Sequence, residues 1–226
     1  MAGSVAAVHP VRYDVAMLER TDMRHGAWVD YDPAWLDAAA ADALFATLRD
    51  EVTWEARHIR AGAKEVLQPR LMGWGGALPY AYSGQTLPPR DVHPALEALR
   101  TQLSSLTGVV FNHVVLNYYR DGGDHMGMHA DDEPQLGRDP TIAAISLGGV
   151  RPFVLSPKRN RKHRKRMRLE HGSLLVMGGS LQRRWWHGVP RHADSAARIN
   201  VTFRWLRSLP GEPVHATRAM ADPHRS

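Results

Sequence analysis

The chain of 226 residues contains no cysteine. Disulfides, thiolate metal centres and cysteine nucleophiles are thereby excluded. It also lacks any run of about 18 apolar residues, the length that would cross a bilayer as a helix. Its first twenty residues show no basic start followed by an apolar core, so no secretion signal is expected. The chain reads as intracellular, cytoplasmic in a bacterium and nuclear in a eukaryote. Acid is missing from one stretch: Lys158 to Arg168 holds eight Lys or Arg and no Asp or Glu. Because the formal net charge is only +6, the rest of the chain without that stretch carries a slight excess of acid. The basic character therefore belongs to one loop, not to the whole surface.

What is present suits one well-buried domain: 43% of residues are hydrophobic and 23% charged, ordinary values for a globular protein. Residues 1–30 have no clear period and read as an N-terminal arm. Asp32-Pro33 looks like a helix start, and Trp35, Leu36, Ala39, Ala43, Leu44 and Leu48 recur at helical spacing up to Val52. A strand is expected over Val52–His58. Pro69–Pro89 is so rich in glycine, proline and aromatics that a structured surface loop is expected. A second helix runs from Pro94 to about Leu106, stopped by Gly108. Strands then follow over Val109–Tyr119, Thr141–Leu147, Pro152–Leu155, Met167–Leu169, Ser173–Met177 and Arg198–Leu206. Helices first and strands later predict an α+β fold, mainly β, with an antiparallel or barrel-like core backed by the two helices. The domain is expected to occupy 31–206, with 207–226 a tail outside the fold.

The metal-ligating candidates centre on His129-Ala130-Asp131, just after a strand and the Gly122-Gly123 turn. The bare motif proves little, since chance supplies roughly one such pair in a chain of this composition. A second copy, His192-Ala193-Asp194, has no later histidine except those in the tail. For the first pair, His187 is the preferred distal partner; His171 competes but sits before Gly172, where it would cap a turn. Two histidines and a carboxylate suit non-haem iron(II), with a zinc hydrolase as the chemical rival. The strand Arg198-Ile199-Asn200-Val201-Thr202-Phe203-Arg204 decides between them. Arg198, Asn200, Thr202 and Arg204 share one face and Ile199, Val201 and Phe203 the other. Two arginines on an interior face call for an anion, and a dicarboxylate would satisfy both; on an edge strand they would sit in water. Asn117 and Tyr119, also on one face, would contact the oxygens of that cosubstrate.

Together, Asn117-x-Tyr119, His129-x-Asp131-Asp132-Glu133, Trp185-x-His187 and Arg198-x-Asn200-x-Thr202-x-Arg204 resemble the AlkB family of iron(II)- and 2-oxoglutarate-dependent nucleic-acid demethylases. The likeness covers about Pro69 to Arg204 and is closest to the DNA-repair branch. It implies a double-stranded β-helix (jelly-roll) core with iron on His129, Asp131 and His187. It implies that 2-oxoglutarate is held by Arg204 at its keto-acid end and Arg198 at its distal end, helped by Asn117, Tyr119, Asn200 and Thr202. With O2, N-methyl groups such as those of 1-methyladenine and 3-methylcytosine would leave as formaldehyde, with succinate and CO2 formed. Tyr82 would stack the flipped base against His129, Tyr80 would hydrogen-bond it, and Asp132 would favour its positive charge. Where some members carry an apolar wedge into the duplex, this chain has Met72-Gly73-Trp74-Gly75-Gly76-Ala77, so Trp74 is the expected wedge. Lys158, Arg159, Arg161, Lys162, Arg164, Lys165, Arg166 and Arg168 would grip the nucleic-acid backbone. The expected partner is alkylated DNA, single- or double-stranded, with RNA left open; no membrane is expected, and the protein is read as a monomer. The alternatives are the same chemistry on a protein or small molecule, and a non-catalytic basic binding module.

Overall fold

The structure, a computed structural model, describes residues 18–61, 63–160 and 162–209. Eight strands form one sheet: β1 (Glu19–Asp22), β2 (Ala27–Asp32), β12 (Ser173–Gly179), β9 (Ile142–Gly148), β14 (Arg198–Arg204), β7 (His113–Tyr119), β4 (Lys64–Gly76) and β3 (Glu55–Ala61), in that spatial order. A second sheet has the order β11 (Lys165–Leu169), β10 (Arg151–Pro157), β13 (Trp185–Val189) and β8 (Met126–His129). A hairpin of β5 (Tyr80–Tyr82) and β6 (Gln85–Leu87) stands apart. The strand pairs are antiparallel, as the jelly-roll reading requires.

Helices α1 (Ala38–Glu51) and α2 (Pro94–Thr107) cover the outer face of the large sheet. Asp37, not Asp32, caps α1, its carboxylate accepting the Ala40 N–H at 2.8 Å. Asp32 accepts the Ala34 N–H, which closes only a local turn at the end of β2. Helix α2 begins at Pro94 and ends at Gly108, whose φ of 72° is a left-handed cap that L side chains resist. Ala41, Leu44 and Leu48 of α1 and Leu96, Leu99 and Leu103 of α2 pack on Val114, Leu116, Ile145, Val201 and Phe203. This outer core is wholly apolar. Because strand side chains alternate, the same strands must turn their other residues inward, between the sheets.

Two expectations are corrected. Residues 18–30 of the expected arm belong to the fold: β1 pairs with β2, and β2 pairs along β12 from Ala27 to Asp32, within the large sheet. The remainder of the expected arm, 1–17, lies outside the described residues, as do 210–226 of the expected tail; Arg207 donates to the Pro134 carbonyl. The stretch Pro69–Pro89 is not a loop either. Its first eight residues belong to β4, paired with β3 and β7, and residues 80–87 form the β5–β6 hairpin. Its glycines act as spacers. A Cβ on Gly75 would meet the Val92 Cα at 2.7 Å, so only glycine lets the following chain cross this strand.

The same strand settles Trp74. It is 4% exposed, its indole N–H donates to the Pro88 carbonyl at 2.8 Å, and the Arg90 guanidinium lies 3.8 Å over its ring. A side chain bound in this way cannot intrude between base pairs, so the wedge expectation is overturned. Trp74→Ala is expected to cost about 3–5 kcal/mol of stability in urea unfolding, as for other buried tryptophans. An unchanged midpoint would show that Trp74 is an accessible side chain after all.

Candidate metal and cosubstrate site

The inward face of the large sheet meets the small sheet around a polar pocket. Asn117 and Tyr119 of β7 and Asn200, Thr202 and Arg204 of β14 line it from one side. His129 and His187 close it from the other, opposite one another in the β8–β13 register, with ring centroids 4.2 Å apart. Asp131 follows His129 by two residues. Its oxygens lie 3.8 Å from His129 Nε2 and 4.0 Å from His187 Nε2. The donor atoms of the three residues all fall within 4.8 Å of one another. His171 is elsewhere: its Nδ1 accepts the Gly148 N–H at 2.8 Å, as a turn cap does. His192 likewise stays local, its Nδ1 3.0 Å from the Ser195 hydroxyl.

This donor set fits an iron(II) ion. The imidazoles must be neutral to ligate and the carboxylate charged. Burial, and then His129, push the His187 imidazole down to about 3. Burial likewise lowers His129, against the pull of Asp131. For Asp131, burial works upward, but Arg204 and the two histidines outweigh it and bring the carboxyl to about 2. Around these ligands the orientation is fixed by hydrogen bonds. His129 Nδ1 faces the Gly127 carbonyl at 3.0 Å, and Gln182 accepts the Asp131 N–H at 3.0 Å. Gln182 comes from α3 (Leu181–Arg184), whose four residues carry no sequence signal of this role.

The arginines of β14 are buried, so the edge-strand alternative fails. Arg204 Nη2 donates to Asp131 at 3.0 Å, while Arg198 Nη2 donates to the Ser146 hydroxyl and to Asn200. Arg198 Nε and Nη1 and Arg204 Nε have no partner among the described residues. Unpaired guanidinium N–H groups in such a setting are the mark of a place meant for an anion. Asn117 turns its carboxamide oxygen to Arg70, a buried arginine whose Nε donates to it at 2.7 Å. Sequence reasoning gave Arg70 no role, because nothing local joins it to a residue 47 positions on.

On the other side of Arg204 lies Tyr80, with the guanidinium 5.5 Å from its ring. Tyr80 is buried, stacks on Tyr82 at 5.4 Å, and donates its hydroxyl to Glu133 at 2.9 Å. Glu133 belongs to the motif quoted from the sequence, which gave it no role of its own. Burial and then Asp131 raise its carboxyl. Asp132 is exposed and receives Lys158 Nζ at 2.9 Å; the same ammonium stands 4.4 Å over the Trp186 ring. Lys158 thus ties the basic loop to the mouth of the site. Arg159, Lys162, Arg164, Lys165, Arg166 and Arg168 are exposed, and Arg161 lies outside the described residues. A cleft larger than the metal pocket lies beside it in the basic region. It is a groove of about 950 Å³ between this loop, the turn at Arg24 and His25, and Arg183 and Arg184.

Against known proteins, the pattern of the 2OG-Fe(II) oxygenase superfamily matches residues 29–204. The chain is 38% identical over 185 residues to the human (Homo sapiens) alpha-ketoglutarate-dependent dioxygenase alkB homolog 3, covering 76% of this chain and 64% of that one. To the mouse (Mus musculus) DNA oxidative demethylase ALKBH2 it is 36% identical over 204 residues, covering 83% and 85%. Among solved structures, OsALKBH1 superposes with a TM-score of 0.54 at 16% identity, over 83% of this chain and 100% of that one, a likeness of fold. The chain spans 64% of the length of the human alkB homolog 3. No helix among the described residues is long and apolar enough to cross a membrane.

One group of this site reports on folding directly. His113 is buried beside Tyr80 with neither ring nitrogen partnered among the described residues, and burial followed by Arg204 holds its imidazole at about 3. Unfolded, it titrates near 6.5. The unfolded chain therefore takes up a proton that the folded one refuses, and stability present above pH ~6.5 is lost as pH falls toward 3. Between pH 7 and 5, His113 is expected to account for about 2 kcal/mol of that loss. The measurement is urea unfolding of wild type and His113→Gln at both pH values. Equal losses in the two proteins would rule this out.

Proposed function

The chain belongs to the 2OG-Fe(II) oxygenase superfamily and within it to the AlkB family, and from this we propose that it demethylates N-alkylated bases of nucleic acid, 1-methyladenine and 3-methylcytosine among them. The observation that carries the reading is the buried arginine strand, with unpaired N–H groups, beside a His-Asp-His donor set. When bound there, iron(II) and 2-oxoglutarate supply the oxidation, in which O2 and the oxo acid give succinate and CO2 and the N-methyl group leaves as formaldehyde.

The residues of the chain have separable tasks in this proposal. His129, Asp131 and His187 hold the iron. Arg204 is shared: its contact to Asp131 leaves other N–H groups for the keto-acid carboxylate of the cosubstrate. Arg198 takes the distal carboxylate, and Asn117, Tyr119, Asn200 and Thr202 complete the pocket. Tyr82 stacks the base and Tyr80 hydrogen-bonds it. Glu133 joins Tyr80 there as an acceptor, and Asp132 favours a base that the methyl group has made cationic. A methylated base has already lost its Watson–Crick pairing, so extracting it costs little.

The basic groove supports a nucleic acid as the carrier of that base. Lys158 belongs to both places, pairing with Asp132 at the mouth and lining the groove. A strand whose base enters the site would run its phosphates along Arg159, Arg164 and Lys165, with Arg183 and Arg184 opposite. DNA is the substrate we propose, the mouse relative being named a DNA oxidative demethylase; RNA would be bound by the same contacts. The protein works as a monomer in this account.

Two outcomes follow. Wild type is expected to release formaldehyde from oligonucleotides containing 1-methyladenine or 3-methylcytosine. His129→Ala should lose this by more than about 100-fold, a loss beyond that of an outer-shell change, while binding the oligonucleotide within about twofold of wild type. No release from any methylated oligonucleotide would sink the proposal in favour of a protein or small-molecule substrate. Replacing Arg159, Lys162, Arg164 and Lys165 by Ser should reduce the slope of log affinity against log salt by about 0.7–0.9 for each phosphate contact removed. An unchanged slope would mean that the loop does not touch the backbone.

A further inference from the structure

Tyr119 ends β7 with its side chain in the cosubstrate pocket, and two guanidinium groups stand over its ring. Arg198 lies 5.2 Å from the ring centroid and Arg151, the first residue of β10, lies 5.4 Å from it. Both arginines are 0% exposed. Neither hydrogen-bonds a carboxylate among the described residues: Arg151 donates to the carbonyls of Asp121, Asp124 and Pro190, and Arg198 to Ser146 and Asn200. The Asp124 carboxylate hydrogen-bonds Arg120 at 2.8 and 2.9 Å and reaches Arg151 only through its charge, as Asp121 does. Two buried positive charges thus share one aromatic ring. Burial in the first place, and the charge on Arg151 in addition, lower the Arg198 guanidinium, with Tyr119 opposing.

Buried cations of this kind persist only where an anion compensates them. A single guanidinium would suffice to hydrogen-bond a distal carboxylate. The second one is clipped to backbone carbonyls through its Nη1 and Nη2 groups, and only its Nε is left without a partner among the described residues. We propose that Arg151 is a positioning residue that sets dicarboxylate specificity: without touching the cosubstrate, it adds a second positive charge behind Tyr119 at the distal end of the pocket and holds that ring in place. The proposal rests on the reading of this pocket as the 2-oxoglutarate site.

The test compares two oxo acids of equal chain length, 2-oxoglutarate and 2-oxovalerate, the second lacking the distal carboxylate. Each is titrated without oxygen into the iron(II)-loaded full chain, and iron(II) affinity is measured separately. Arg151→Met should weaken 2-oxoglutarate by about 10- to 50-fold, the effect expected of removing one nearby charge at an intermediate dielectric. Its affinities for 2-oxovalerate and iron(II) should stay within about twofold. Arg151→Lys, which keeps the charge but loses the carbonyl clips, should recover most of the 2-oxoglutarate affinity. Equal weakening of both oxo acids, a parallel loss of iron affinity, or failure of lysine to recover anything would overturn the charge role and leave Arg151 a structural clip. Should wild type itself bind no 2-oxoglutarate, the function proposed above falls first and this inference with it. That result differs from one confined to the variants.

Discussion

The contact on which the rest depends is the buried pair between Arg204 and Asp131, 3.0 Å long and shielded on both sides. It crosses from the last strand of the large sheet to the loop after β8, so it links the two halves of the sandwich at the site itself. Removing one partner of such a pair typically costs about 3–5 kcal/mol, because the other is left charged and dry. Here it also decides protonation. Asp131 stays a carboxylate despite burial because Arg204 stands beside it, and the two imidazoles stay neutral because burial forbids their charge. A donor set ready for a divalent ion is thus a consequence of where one arginine lies.

Beyond that pair the interior holds three more buried arginines. Arg70, Arg151, Arg198 and Arg204 are all buried, and of the four only Arg204 hydrogen-bonds a carboxylate among the described residues. Such an interior is unfavourable for the protein alone and favourable for a protein with a dianion in it. The all-apolar core on the outer face, formed with the two helices, supplies the stability that lets the inner face remain polar. The division is a direct result of strand alternation. One side of β14 builds the core and the other builds the site.

That division was legible in the sequence. The strict alternation from Arg198 to Arg204 needs only a period of two to be read, and both helices announced themselves by period and by Pro94 and Gly108. His129, Asp131 and His187 were legible by chemistry, although their meeting across the β8–β13 register was not. What stayed hidden has physical reasons. Strand β4 read as a loop because glycines count as breakers in isolation, whereas here Gly75 is required by a backbone lying against it. Trp74 read as a wedge because the resemblance places one in that stretch, whereas its burial under Arg90 is a tertiary fact. Arg70 and Gln182 serve residues 47 and 51 positions away, and Arg151 clips carbonyls up to 39 positions away. A lone polar residue has no local pattern that names so distant a partner.

The central claim is that this pocket is an interior completed by iron and a dicarboxylate. The most direct measurement is thermal unfolding of the wild-type chain without oxygen, with iron(II), 2-oxoglutarate, both, or iron(II) with 2-oxovalerate. The account predicts that iron(II) and 2-oxoglutarate together stabilise by far the most, approaching ~2.7 kcal/mol when the oxo acid is a hundredfold above its dissociation constant. It also predicts that 2-oxovalerate cannot replace 2-oxoglutarate. Equal stabilisation by the two oxo acids, or none by either, would contradict it.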